Sequence, residues 1–154
     1  MTATALRWSQ PGDAEAILAD LRPADAAEMR ALGSEPEPAL RESLRISSWS
    51  ATGLVDDAPV CLFGVAPTVA LQGIGAPWMF ATEGLARVRR PFIEACRPVV
   101  DVMLQDYPRL QNLVHAQNLG ALRWLRWLGF EISKGTLTHN GHAFHLFRAG
   151  DWHV

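Results

Sequence analysis

A chain of 154 residues with 49% hydrophobic and 19% charged side chains has the composition of one globular domain, able to bury a substantial core and too short for two ordinary ones. The net charge of -2, from 14 basic and 16 acidic residues, argues against wrapping of nucleic acid, and no apolar run approaches the roughly 20 residues a membrane helix needs. Cys61 and Cys96 have no CxxC spacing and "MTATALRWSQPGD" lacks a basic region followed by an apolar stretch, so we expect a reduced, cytoplasmic chain with both thiols as core filler.

Along the chain, "ATALRWS" (3–9) reads as a short first strand, broken by Pro11 and Gly12, with Asp13 as a candidate cap for the next helix. "DAEAILADL" puts Ala14, Ile17, Leu18 and Leu21 at helical spacing. Pro23 ends that turn before a second helix, "ADAAEMRALG", closed by Gly33. "SEPEP" (34–38) reads as a solvated connector, with a mobile substrate-side lid as the alternative, and "ALRESLRISS" offers a further short helix. "SWSATGLV" (48–55), "APVCLFGVAPTVAL" (58–71) and "APWMFAT" (76–82), separated by "DDAP" and "QGIGAP", read as a three-strand antiparallel meander.

From Gly84 to Tyr107 the pattern turns helical. Phe92, Ala95, Cys96, Val99, Val102 and Met103 fall on one stripe. Pro91 and Pro98 each remove an amide donor, so the expectation is a short helix joined to a longer one near Pro91, or a kink at 94–98. "RLQNLVHAQN" (109–118) reads as a strand parallel to 76–82, "LGALRWLRWLG" as a helix stopped by Gly129, and "FEIS" and "AFHLFRA" as two last strands. The predicted order is βααβββαβαββ, an α/β arrangement with a mixed central sheet.

The run "NLGALRWLRWLGFEI" resembles the end of the GNAT acyltransferase domain, in which an asparagine closing strand five is followed by a small residue, a tyrosine and Gly-Phe. Those positions fall here at Asn118, Ala121, Leu125, Gly129 and Phe130, and four of the five match. Together with "LRPADAAEMRALG", "FGVAP", "GAPWMFATE" and "YPRLQN", it looks similar to the small GNAT-related proteins of tailed bacteriophages, the group that includes the T7-type internal virion or morphogenesis protein. This resemblance covers roughly residues 20 to 147. It implies a sheet splayed between its fourth and fifth strands, acetyl-CoA or CoA in the opening, and an amine as the second substrate. A homodimer is also implied.

By the same resemblance, Phe80, Ala81 and Thr82 present strand amides to the thioester arm, Asn118 and Trp124 contact the cofactor, and Glu83 or His115 acts as the base. Aligned on "WMFATEGLARVRRPF", the loop that usually carries two glycines for the pyrophosphate has Leu85, Val88 and Arg90. Two side chains are therefore expected to project where phosphate oxygens lie, and Arg87, Arg89 and Arg90 are the side-chain donors that can replace the bare amides. Leu125 stands where many such enzymes place the tyrosine that reprotonates the thiolate, and leucine has no proton to donate.

Each candidate also has a plain structural role. Asn118 can satisfy backbone groups where strand meets helix. Trp124 and Trp127 share a helix face and can pack in a core, and Arg87, Arg89 and Arg90 can form a solvated or partner-facing basic face. Glu83 can be a surface carboxylate and His115 a hydrogen-bonded strand histidine. His139, His142, His145 and His153 flank a turn-like Asn140-Gly141 with no zinc-ligand spacing, so no metal is expected. Two functions follow. One is an acyl-CoA-dependent N-acyltransferase of phage origin, acting in the cytoplasm of the bacterial host. The other is a catalytically degenerate GNAT-fold protein that binds phage structural proteins or serves virion assembly.

Overall fold

The computed structural model describes residues 3–69 and 72–152. The elements run β1 (Thr4–Trp8), α1 (Asp13–Ala19), α2 (Pro23–Ala31), α3 (Pro36–Ile46), β2 (Trp49–Val55), β3 (Ala58–Val69) and β4 (Ile74–Ala81). A 3-10 turn (Glu83–Val88) leads into α4 (Arg89–Asp106), followed by β5 (Arg109–His115), α5 (Leu119–Leu128), β6 (Glu131–Ile132), β7 (Leu137–His139) and β8 (His142–Gly150). The mixed α/β order matches the sequence reading, with the further short helix read in "ALRESLRISS" present as α3 and the short β7 as the one added strand.

One sheet carries the strands in the order β1-β2-β3-β4-β5-β8-β6, with β7 paired to β8. The first four strands form an antiparallel meander. The crossover through α4 then makes β5 parallel to β4, but the two strands pair only at Ile74–Arg109 and Gly75–Leu110. On its other edge β5 pairs along its whole length with β8, from Arg109–Gly150 to His115–Phe144. The sheet is therefore splayed between its fourth and fifth strands.

Alternation along β3 and β4 loads both faces. Cys61, Phe63, Val65 and Ala81 join Phe92, Cys96 and Met103 of α4 and Leu122 and Trp124 of α5 in the larger core. Leu62 and Phe80 point the other way, into a smaller core with Ile17 of α1 and Leu40 of α3. Both cysteines are free and buried, and burial holds their thiols protonated, pushed up to about 12 for Cys61 and about 11 for Cys96.

Several local expectations change. Pro23 and Pro36 open helices rather than ending or excluding them, because an amide in the first helical turn has no intrahelical acceptor to lose. The "SEPEP" connector is thus largely the first turn of α3. Pro91 sits in the first turn of α4 behind the 3-10 turn, and Pro98 lies inside the helix. The buried stripe of α4 is Phe92, Ile93, Cys96, Val100 and Met103, with Val102 44% exposed. Gly129 takes φ 97 and ends α5 in the left-handed region, and Asn140 and Gly141 at φ 51 and 77 turn the β7–β8 hairpin.

Asp13 does not cap α1 with its side chain, since Gly12 occupies the N-cap. Instead its buried carboxylate accepts from Arg7 at 2.7 and 2.9 Å, from the Gln10 amide at 2.8 Å and from the Thr52 hydroxyl at 2.7 Å. Burial works to raise this carboxyl, but those donors outweigh it and hold it below its usual value of 3.8. A depressed folded-state value contributes stability that is present above the unfolded value and lost as pH falls. We therefore expect Asp13→Ala to lower unfolding free energy by about 2 to 4 kcal/mol at pH 7 in urea titrations. The gap from wild type should shrink at pH 3.

Candidate functional site

Where β4 and β5 part, each strand turns an edge of unpaired backbone groups toward the opening, and buried groups of that kind need partners. Helix α2 supplies two of them. Asp25 Oδ2 accepts the Ala81 amide of β4 at 2.9 Å, and Glu28 Oε1 accepts the His115 amide of β5 at 2.6 Å. Three residues apart, the two carboxylates share one face of α2 and span the divergent strand ends. Near the fork, Asn112 Nδ2 crosses from β5 to the Pro77 carbonyl at 3.0 Å, replacing a ladder bond with a side chain. Arg22 holds Asp25 through two bonds of 3.2 and 2.9 Å, and its own amide donates to the Ala81 carbonyl at 3.0 Å.

The opening is a cavity of about 240 Å³ whose walls come from both faces of the sheet. Met29 and Leu32 of α2 and Trp78 of β4 line it on one side, and Cys96, Val100, Leu125 and Leu128 on the other. Leu125, at the position of the usual tyrosine, faces this cavity. The chain's one tyrosine, Tyr107, instead bonds the Ser48 hydroxyl. No phenol reaches the site.

A second cavity of about 170 Å³ adjoins the first, with Arg22 and Trp124 in the walls of both. Arg89 and Arg123 also line it, as do Gly120, Leu85 and Trp127. Arg89 opens α4, whose N-cap Val88 provides no side-chain acceptor and whose first turn carries no acid. The partial positive charge of that helix end adds to the guanidiniums and favours an anion. Among the described residues, neither Arg89 nor Arg123 is in an ion pair.

The sequence-derived candidates distribute unevenly over this geometry. Of the strand amides expected to be free, that of Ala81 is taken by Asp25 and that of Thr82 by the Val60 carbonyl at 2.8 Å. Phe80 shares the register of Thr82 and turns its amide toward Leu62 of β3. Alternation leaves Met79 as the residue whose amide faces the opening, between Pro77 and Ala81. Arg89 lines the basic cavity, whereas Arg87 and Arg90 are exposed and line neither cavity. Of the two side chains at the glycine positions, Arg90 is exposed as expected, whereas Val88 is only 6% exposed, because the 3-10 turn rotates it into the core together with Leu85.

Asn118 caps α5, its Oδ1 accepting the Ala121 amide at 3.3 Å, while its Nδ2 is buried without a partner among the described residues. Trp124 is a core residue and also a cavity wall, and Trp127, on the same face, is 39% exposed. Glu83 is exposed in the 3-10 turn and lines neither cavity. The His115 ring packs against Phe144 and lies 3.4 Å from His142, outside both walls, and burial and then the neighbouring imidazole lower its basicity. His153 lies outside the described residues, and among those described no three metal-ligating side chains cluster.

Glu28 is the titratable group that sequence reasoning missed. Burial raises its carboxyl to about 7, aided by the charge of Asp25 and opposed by the His115 amide, the Asn118 side chain and Arg22. The Asn118 Nδ2 nonetheless falls outside hydrogen-bond geometry. A carboxyl balanced near neutrality inside a cavity is poised to exchange protons.

No family model and no curated protein matches this chain. Solved structures do. A GCN5-related N-acetyltransferase from Kribbella flavida superposes with a TM-score of 0.70 at 18% identity, over 96% of this chain and 98% of that one. The aminoglycoside acetyltransferase AAC(6')-Ib, in complex with ribostamycin and coenzyme A, gives 0.65 at 16% identity over 94% and 92%. A GNAT-family acetyltransferase from Streptococcus pneumoniae gives 0.60 at 15% over 96% and 99%. At these identities the likeness establishes the fold, which is that of the GNAT acetyltransferases.

The raised Glu28 carboxyl has a sign. Between about 4.5 and about 7 the unfolded chain loses this proton while the folded chain keeps it, so folding stability falls as pH rises through that window. Glu28→Gln keeps an oxygen for the His115 amide and removes the titration. Its melting temperature should match wild type near pH 5 and exceed it at pH 8, as read by thermal scans across that range.

Proposed function

We propose that the protein is an acyl-CoA-dependent N-acyltransferase, acting in the cytoplasm of a bacterial host on an amine. The observation that carries this reading is the opening between β4 and β5, which joins an arginine-walled cavity to a buried carboxylate. Arg22, Arg89 and Arg123, with the uncapped start of α4, fit the phosphates of a CoA ester. The cavity wall formed by Cys96, Val100, Leu125 and Leu128 suits its pantetheine arm, and the Met79 amide is aimed where a thioester carbonyl would gain negative charge.

The acyl donor supplies an activated thioester. Glu28, ionised, takes a proton from the incoming ammonium, so that the neutral amine attacks the carbonyl carbon and the C–S bond breaks. With Leu125 in place of a phenol, the thiolate takes its proton from the amine nitrogen through Glu28 or water. Positioning and carbonyl polarisation remain the main rate terms.

The same Leu125 and the missing loop glycines favour a second reading, a non-catalytic GNAT-fold protein of phage origin that binds structural proteins during virion assembly. The two separate cleanly. Under the first, calorimetry should detect acetyl-CoA binding that weakens about 10- to 100-fold in Arg89→Ala/Arg123→Ala, as expected for lost charge-assisted bonds. Glu28→Gln should lower kcat about 10²- to 10⁴-fold with the acetyl-CoA dissociation constant unchanged. The wild-type rate should climb with pH as Glu28 ionises near 7. No binding at millimolar acetyl-CoA, together with recovery of the chain in purified virions, would favour the second.

A further inference from the structure

The polar groups of the acceptor side can be counted one by one, and nearly all are committed. Both oxygens of Asp25 are taken by Arg22, and Oδ2 also by the Ala81 amide. Asn112 gives its Nδ2 to Pro77 and receives the Leu113 amide at its Oδ1, 2.8 Å away. The Ser43 hydroxyl donates to the Ala39 carbonyl at 2.9 Å, and Trp78 Nε1 donates to Ser47 at 2.7 Å, leaving only the indole ring to the cavity. Glu28 Oε1 holds the His115 amide, and Oε2 makes no hydrogen bond among the described residues, with the unpartnered Asn118 Nδ2 acting on the carboxyl from outside bonding geometry. On the side of α2 and β4 the same cavity is walled by Met29, Leu32, Pro77 and Trp78.

From this accounting we infer that the acceptor is a primary monoamine carrying an apolar alkyl or aryl arm, its single ammonium received by Glu28 and its arm by Met29, Leu32 and Trp78. The inference rests on the acyl-transfer reading and goes further, to the substrate class. A buried cation needs a partner of its own, and a buried hydroxyl needs an acceptor or donor. With the Met79 amide given to the thioester carbonyl, the one carboxylate oxygen left uncommitted is that of Glu28, and the wall beside α2 is mostly carbon. A polyamine or aminosugar would leave further ammonium and hydroxyl groups against that carbon wall. AAC(6')-Ib, which has this fold and is solved with the aminosugar ribostamycin, shows that the fold itself does not impose the preference.

Chemically, the ammonium loses one proton to Glu28 and attacks the thioester as a free amine. The new C–N bond replaces the C–S bond, a second nitrogen proton ends on sulfur, and the products are an N-alkyl or N-aryl-alkyl amide, free CoA thiol and one proton released to solvent.

The test uses the full chain with acetyl-CoA, thiol release as the readout, and hexylamine and 2-phenylethylamine against spermidine and ribostamycin. We expect kcat/KM for the two monoamines to exceed that for both polycations by tenfold or more. In Met29→Glu or Leu32→Glu, either of which adds a second carboxylate to the wall, the ratio should fall by at least fivefold with the acetyl-CoA dissociation constant unchanged. Equal or faster turnover of spermidine or ribostamycin by the wild type overturns the substrate inference and leaves the transferase reading intact. Acetyl-CoA binding without turnover of any of the four amines overturns both, and so does absence of acetyl-CoA binding by calorimetry. The first result differs from the last two by the thiol released.

Discussion

Two parallel strands that pair at one end and separate at the other create a problem of unsatisfied backbone, and much of this molecule is arranged around its solution. An amide facing a protein interior costs about as much as a lost hydrogen bond unless something accepts it. Here the something is a single helix. Asp25 and Glu28, one turn apart on α2, each take the amide of one departing strand, and Asn112 bridges the fork itself. The opening is held from above by α2 and from within by a side chain. It is a built cavity with fixed walls, and the α1–α3 layer owes its position on the sheet partly to these bonds.

The same bonds divide labour between two carboxylates that look alike in the sequence. Asp25 is neutralised by a two-point contact with Arg22 and serves structure alone. Glu28 has no such cation, accepts one amide, and is left with a proton affinity near neutrality and one oxygen free. Environment, through burial and the presence or absence of a guanidinium, turns one side chain into a strut and the other into a candidate base. The arginines that line the neighbouring cavity lie at the other end of the opening's charge distribution, beside the uncapped α4. An elongated anion with a neutral arm fits that polarity.

The region where glycines are absent shows how a fold can keep a site's electrostatics with different atoms. Glycines let backbone amides approach an anion closely. In this chain the 3-10 turn buries Leu85 and Val88 instead, and guanidinium forks from α4, α5 and the α1–α2 connection surround the space. Side-chain donors cost more conformational entropy to order than bare amides do, so a site of this kind binds at higher entropic cost for the same number of bonds. The leucine at 125 is a second economy, removing a phenol from a wall that is otherwise carbon.

Periodicity and turn chemistry determined, from the sequence alone, the meander, the α4 crossover, the Gly129 stop and the Asn140-Gly141 hairpin, because these depend on neighbours within a few residues. The order of the elements and the family likeness of "NLGALRWLRWLGFEI" carried the splayed sheet as well. The site was less legible. Arg89 and Trp124, singled out in the sequence, line the cavities, but Arg22, Arg123, Met79 and Glu28 did not stand out there. Glu28 sits in an ordinary short helix, and nothing local distinguishes it from Glu15 or Glu42. Its role depends on the His115 amide, 87 residues away in the chain. Which strand amides are free likewise depends on the register of β4 against β3 and on Asp25 reaching Ala81. Only the tertiary structure decided these, since burial and the competition for backbone donors are properties of surroundings that distant segments assemble.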